Sequence, residues 1–243
     1  MRILIIRHGD PDYEIDGLTE KGKREAALLA KKLEKEDITA VYCSVYGRAM
    51  ATIAPTLEKK GMSAEYCDWL REFNYTKVML PYKGRLSTPW DFPPHFAVQH
   101  PELFNVPGWR EVDFIKDSEY CKNYDAVCQE LDKVLEKHGY RRNGILYDAI
   151  RSNHDTVVFV CHHGLGSLLV SHLLNCSPFH IVQNGCMLPS SVTTFYTEER
   201  EEGKAIMRMC GFGDISHLYV ADQPPAFAAR FCETYDNAAQ RHD

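Results

Sequence analysis

Three short polar clusters stand directly behind apolar runs. Arg7-His8-Gly9 closes the run 2–6, Ser44 and then Arg48 follow the run 39–43, and His162-His163-Gly164 closes the run 156–161. Each member has an ordinary explanation by itself. Arg7 could be a strand-end charge, His8 a hydrogen-bonded core histidine, and one of His162 and His163 a cap on a carbonyl. An Arg-His-Gly directly after a first strand has no packing rationale, however, and together the clusters suit one ligand. Guanidinium forks bind phosphate oxygens in pairs, and helix N-termini add oriented N–H donors. A neutral imidazole is a competent nucleophile near neutral pH when its second nitrogen is fixed by a hydrogen bond. Phosphoryl transfer mostly needs positioning and charge stabilisation, so two arginines and a histidine suffice without a metal or another cofactor.

The elements that must hold these residues follow from periodicity. Residues 2–6 are a continuous β-branched run, as in a strand buried on both faces. Pro11 and Gly17 mark a loop, and Thr19 is placed as N-cap of a helix to about Glu36. Ala26, Leu29, Ala30 and Leu33 form its apolar face, opposite Lys23, Lys31, Lys32 and Glu34. A strand over 39–43 leads into a helix over 47–60, where Pro55 should produce a kink or demand a local adjustment. Strand, helix, strand, helix implies parallel pairing with right-handed crossovers. The ligand crevice of such a sheet lies at the carboxyl ends of its strands, so the three clusters should converge.

Further along, a helix is expected over 118–138, the most apolar strand over 156–161 and a helix over 167–174. A hairpin is expected from 191–196 and 205–209. The stretch 74–117 differs: six prolines (Pro81, Pro89, Pro93, Pro94, Pro101 and Pro107) alternate with Trp90, Phe92, Phe96, Phe104 and Trp109. It reads as an insertion packed over one edge of the sheet, with the character of a lid. The expected fold is one α/β domain over 1–243, a three-layer α/β/α sandwich. A mostly parallel central sheet would carry helices on both faces and this inserted aromatic, proline-rich segment.

Composition narrows the partners. A net charge of −6 and a pI near 6.0 argue against broad nucleic-acid binding. No run reaches membrane-spanning length. Nine cysteines without a CxxC pair suggest reduced, buried thiols in a soluble cytoplasmic protein. The expected partner is a small phosphorylated substrate.

Four blocks extend the pattern. They are Arg7-His8-Gly9 with Leu18-Thr19-Glu20-Lys21-Gly22, the stretch from Ser44 through Arg48 to Thr52, Leu70-Arg71-Glu72, and Val160-Cys161-His162-His163-Gly164. In this order they resemble the histidine phosphatase superfamily, also called the phosphoglycerate mutase-like family. The resemblance implies that His8 attacks phosphorus and is transiently phosphorylated. Arg7, Arg48 and His163 would hold the phosphoryl oxygens. Glu72 would act as general acid and base, and Trp69 and Phe73 are expected to desolvate it. His163 is taken as the family's second histidine because it directly precedes glycine. Gly9 and His162 are assigned to the substrate pocket beside them.

One departure bears on the reaction. Where many members carry a serine or threonine and an asparagine, this chain has Asp10, Asp12, Glu14 and Asp16. Such acidity disfavours a highly charged bisphosphate, and the mutase branch's tryptophan-asparagine pair is absent. Metal-independent phosphomonoester hydrolysis is therefore expected over mutase chemistry. Two other readings are a silent phosphate-binding regulatory module and a metal hydrolase using His8, His162 and His163.

Overall fold

A computed structural model describes residues 1–80, 84–227 and 230–239. In chain order the elements are β1 (Arg2–Arg7), β2 (Pro11–Asp12), β3 (Gly17–Leu18), α1 (Glu20–Leu33), β4 (Ala40–Ser44), α2 (Gly47–Lys60) and β5 (Glu65–Cys67). The insertion contributes β6 (Val78–Leu80), β7 (Arg85–Ser87), α3 (Pro94–Gln99) and α4 (Asp113–Lys116). There follow α5 (Tyr120–Lys137), β8 (Tyr140–Asn143), β9 (Leu146–Ala149), β10 (Thr156–Cys161), α6 (His163–Leu174), α7 (Pro178–Asn184), β11 (Val192–Glu201), β12 (Lys204–Asp214) and α8 (Ser216–Tyr219).

Eight strands form one sheet in the order β5-β4-β10-β1-β11-β12-β9-β8. The half that carries the polar clusters is parallel: β5, β4, β10 and β1 run the same way. Outward from β1 the pairing is antiparallel. The central sheet is therefore mixed, with its parallel strands in the core. For two of these pairs, β8–β9 and β11–β12, the reason is local, because short turns through Gly144 (φ 62°) and Gly203 (φ 70°) can only join antiparallel neighbours.

Alternation along the strands builds two cores. Leu4, Ile6, Val41, Val158 and Val160 face Leu29, Leu33 and Ile53 of α1 and α2. On the opposite face Ile3, Ile5, Val157 and Phe159 meet Leu131 and Leu135 of α5 and Leu165 and Leu169 of α6. Helices thus cover both faces, giving the expected three layers.

Several bounds differ from the sequence reading. Thr19 does cap α1, accepting from Gly22 N at 3.0 Å, but the helix ends at Leu33. Pro55 sits within an uninterrupted α2, whose end is set by Gly61 at φ 60°. α6 starts at His163 rather than near Ser167, for a reason given by the site. The insertion packs into the second core. Phe92, Phe96, Leu103 and Trp109 enter the second core, with Phe92 stacked on Phe179 at 6.2 Å and Trp109 edge-on to Tyr124 at 5.3 Å. Ser177 and Gln183 donate to the Leu103 and Pro89 carbonyls, tying the insertion to α7 and its N-cap. Aromatic area needs a helical wall to be buried against, and α5 and α7 provide it. Pro81 lies outside the described residues.

Cys43, Cys67, Cys128 and Cys161 are buried, and burial pushes the Cys43 and Cys128 thiols up to about 12. Cys210 is exposed. Among the described residues no helix is long and apolar enough to cross a membrane.

Candidate active site

The carboxyl ends of β4, β10 and β1 lie side by side, with Arg7 level with Cys161 and Cys43 level with Val160. His8 N donates to Cys161 O at 3.0 Å, so the bond pattern of the sheet continues one residue into the site. The three polar clusters are brought to one place.

His8 is almost fully buried. Its Nδ1 lies 2.7 Å from Gly9 O. A carbonyl can only accept, so Nδ1 carries the proton and Nε2 keeps its lone pair. Burial first, then the adjacent Arg7 guanidinium, hold the imidazole well below its usual range. The ring therefore stays neutral at physiological pH. His162 packs against it with ring centroids 5.0 Å apart.

Two clamps fix the loop that carries His8. Thr19 Oγ1 donates to Asp10 Oδ2 at 2.7 Å, and Thr19 N donates to Asp10 O at 3.1 Å. Gly22 lies so close beneath that a Cβ there would come within 2.2 Å of Asp10 O. The second clamp is Glu25, buried in α1, which accepts from Asp10 N at 2.8 Å. Burial raises the Glu25 carboxyl. These contacts are the physical content of Leu18-Thr19-Glu20-Lys21-Gly22: the block caps α1 and presses it onto the loop. Gly9 belongs to the same arrangement. Its N–H donates to Thr52 Oγ1 at 2.8 Å, and its Cα faces Gly22. Its N–H is therefore engaged within the protein.

Arg7 is buried, and its Nη1 donates to Met187 O at 2.6 Å. Burial lowers the guanidinium from its usual value. Arg48, in the first turn of α2, lies over the Tyr46 ring at 4.6 Å and the Tyr13 ring at 5.4 Å. Its Nη1 donates to Asp16 Oδ1 at 2.5 Å, while Asp16 Oδ2 accepts from Gly47 N at 2.7 Å. Asp16 adopts φ 47°, a left-handed conformation that aspartate tolerates. One carboxylate thus orients Arg48 and also satisfies an N–H at the start of α2.

Glu72 does most to shape the site. Its Oε1 accepts from Phe73 N at 2.8 Å and from Leu165 N at 2.9 Å, and its Oε2 accepts from Gly164 N at 3.2 Å. The N–H groups of Gly164 and Leu165 begin α6, so Glu72 caps that helix from another part of the chain. This is why α6 starts at His163. The expectation that Trp69 and Phe73 surround the carboxylate is also corrected. Trp69 packs on Phe159 and Phe73 on Tyr120, and the carboxylate meets N–H donors.

His163 follows directly, in the first turn of α6. Burial and Arg7 push it down to about 3. Trp90 stands edge-on to its ring at 6.4 Å. His162 is fully buried, with Nε2 2.8 Å from Ser44 Oγ, so that nitrogen is engaged within the protein. It supports the His8 ring from behind. Among the described residues no three His, Cys, Asp or Glu side chains are grouped as metal ligands. Two open clefts, of about 540 and 430 Å3, are lined by the insertion and by Ser118 and Glu119 just before α5; neither includes any of the five proposed catalytic residues.

Sequence reasoning missed Asp16 as an arginine partner, Glu25, Trp90 and the Met187 carbonyl. In the sequence Asp16 signals only local acidity. A main-chain carbonyl has no side-chain signature at all.

Residues 3–101 match the family model of the histidine phosphatase superfamily (branch 1). No curated protein matches the chain in sequence. Among solved structures, a phosphoserine phosphatase mutant from Entamoeba histolytica superposes with a TM-score of 0.58 at 16% identity, covering 89% of this chain and 98% of the other. A mycobacterial glucosyl-3-phosphoglycerate phosphatase gives 0.56 at 18% identity, with 87% and 98% covered. The α-ribazole phosphatase from Shigella flexneri gives 0.53 at 16% identity, with 88% and 96% covered. At these identities the similarity to solved structures is one of fold.

Proposed function

We propose that this chain, a histidine phosphatase superfamily protein by its residues 3–101, hydrolyses a phosphate monoester through a phosphohistidine on His8. The observation that carries the reading is the Nδ1 bond of a buried, neutral His8 to Gly9 O, which leaves Nε2 as a nucleophile beside Arg7, Arg48 and His163. In the first step Nε2 attacks phosphorus as the bond to the leaving oxygen breaks. Glu72, as general acid, delivers a proton to that oxygen. In the second step Glu72 takes a proton from a water whose oxygen attacks phosphorus. The P–N bond breaks and its electron pair returns to Nε2. Arg7, Arg48 and His163 stabilise the charge on the phosphoryl oxygens in both steps.

The acidic neighbours of the site favour hydrolysis over transfer within a bisphosphate, because Asp16 already neutralises Arg48. The fold neighbours include phosphatases of phosphoserine, glucosyl-3-phosphoglycerate and α-ribazole phosphate type, which supports the reaction class. The test is phosphate release from a panel of small phosphate monoesters, with acid-quenched samples probed for phosphohistidine. His8→Ala should abolish both signals. A His8→Ala protein that retains full turnover on any monoester would overturn the nucleophile assignment.

A further inference from the structure

Resting on the phosphomonoesterase reading above, we infer that the leaving group is an alcohol bearing a planar aromatic ring and no second anionic group. The point of departure for that alcohol is the Glu72 carboxylate, and an indole stands beside it. A Cβ on Gly164 would lie 2.2 Å from Trp90 Cζ3 and 2.7 Å from Glu72 Oε1, so Trp90 and the carboxylate abut across one glycine. Trp90 is half-buried and held in place. Its turn is pinned by Gln183 Nε2 donating to Pro89 O and by Thr88 Oγ1 donating to Asp91 Oδ2 at 2.7 Å. Any group attached to an oxygen protonated by Glu72 therefore meets an indole.

The other side of the site is aromatic too. Tyr13 and Tyr46 both lie on the Arg48 guanidinium, and Tyr46 stands edge-on to His162 at 5.2 Å. Tyr75, three residues after Glu72, lies over the Arg71 guanidinium at 4.9 Å. Tyr13 is 69% and Tyr75 45% exposed, which leaves ring surface open to a ligand. Rings so placed on either side of a phosphate position offer stacking and edge contacts to a third.

Among the described arginines around the site, charge argues against an anionic leaving group. A carboxylate on the alcohol would need a cation beyond those that hold phosphate. Arg71 is matched by Asp68 at 3.4 Å and Arg230 by Glu233 at 3.1 Å, while Arg48 already carries Asp16. Asp10, Asp12 and Glu14 add repulsion along the loop after β1.

The test compares three phosphates of primary alcohols: benzyl phosphate, ethyl phosphate and O-phosphoserine. Because benzyl and ethyl alcohol leave with similar ease, a difference reports contacts with the ring. Full-length protein should show kcat/KM about tenfold higher for benzyl than for ethyl phosphate, with O-phosphoserine lowest. Trp90→Leu should bring the benzyl-to-ethyl ratio near one. Tyr13→Ala, at a largely exposed position, should lower the ratio with no risk to folding. Equal rates on benzyl and ethyl phosphate, or a preference for O-phosphoserine, would overturn the inference and leave the phosphatase reading standing. So would a ratio that survives both substitutions. Failure to release phosphate from all three compounds would bring down both.

Discussion

Replacing Glu72 by glutamine separates its two tasks. The carboxylate caps α6 through Gly164 and Leu165 and, in the proposed mechanism, also delivers the proton to the leaving oxygen. Glutamine keeps one acceptor oxygen for Phe73 N and Leu165 N. It sets an NH2 group against Gly164 N, where two donors cannot bond. One charge-assisted bond and one helix-terminus interaction are lost, about 1–2 kcal/mol of stability in sum. For a chain of this length each kcal/mol lowers the melting midpoint by about 2–4 °C. Activity should fall much further, by about 10²–10⁴-fold on alkyl phosphates, because an amide has no proton to give. On p-nitrophenyl phosphate, whose leaving anion needs no proton, the loss should be clearly smaller. Thermal unfolding and phosphate release on the two substrates measure both effects. Equal losses on both would refute proton donation and reduce Glu72 to a residue that positions α6. An unchanged midpoint would refute the cap.

Other outcomes follow from the same geometry. Asp16→Ala removes the partner that orients Arg48, and kcat/KM on a monoester should drop by about tenfold or more; an unchanged value would show that Arg48 needs no such support. Gly22→Ala would set a methyl group against the Asp10 carbonyl, costing about 1–3 kcal/mol in thermal unfolding together with activity. Acid should destabilise the fold. His163 is held down to about 3 and His217 to about 4, so between those values and about 6.5 the unfolded chain binds protons that the folded chain refuses. Stability is full above about 6.5 and falls as pH drops, by about 1.4 kcal/mol per pH unit for each such histidine. Urea titrations from pH 7 to 4.5 measure the slope, and His217→Gln should flatten it.

Much of this arrangement was legible in the sequence because it rests on local pattern. The apolar runs 2–6, 39–43 and 156–161 could only be buried strands, and parallel strands end at the same edge. That was enough to gather Arg7, His8, Arg48 and His163. Thr19 was readable as a cap, since a cap and the helix it starts are neighbours in the chain. The antiparallel half of the sheet was legible only where the hairpin of β11 and β12 showed clear alternation. β8 and β9 are short and half-exposed, and they carry little pattern.

What the tertiary structure decided is which group meets which. Residue type announces that Glu72 is a carboxylate, but only folding sets it on the first N–H groups of α6 and so moves that helix's start to His163. The glycines at 22 and 164 mark no turn; each is required by an atom from elsewhere, Asp10 O in one case and the Trp90 indole in the other. Asp16 and Arg48 are each unremarkable in their own segments and become one unit across a 2.5 Å bond. Identity along a chain is local, whereas partnership is set by the sheet that brings distant segments together. His8 could therefore be singled out from sequence, and the partners that tertiary packing gives to Arg48 and Glu72 could not.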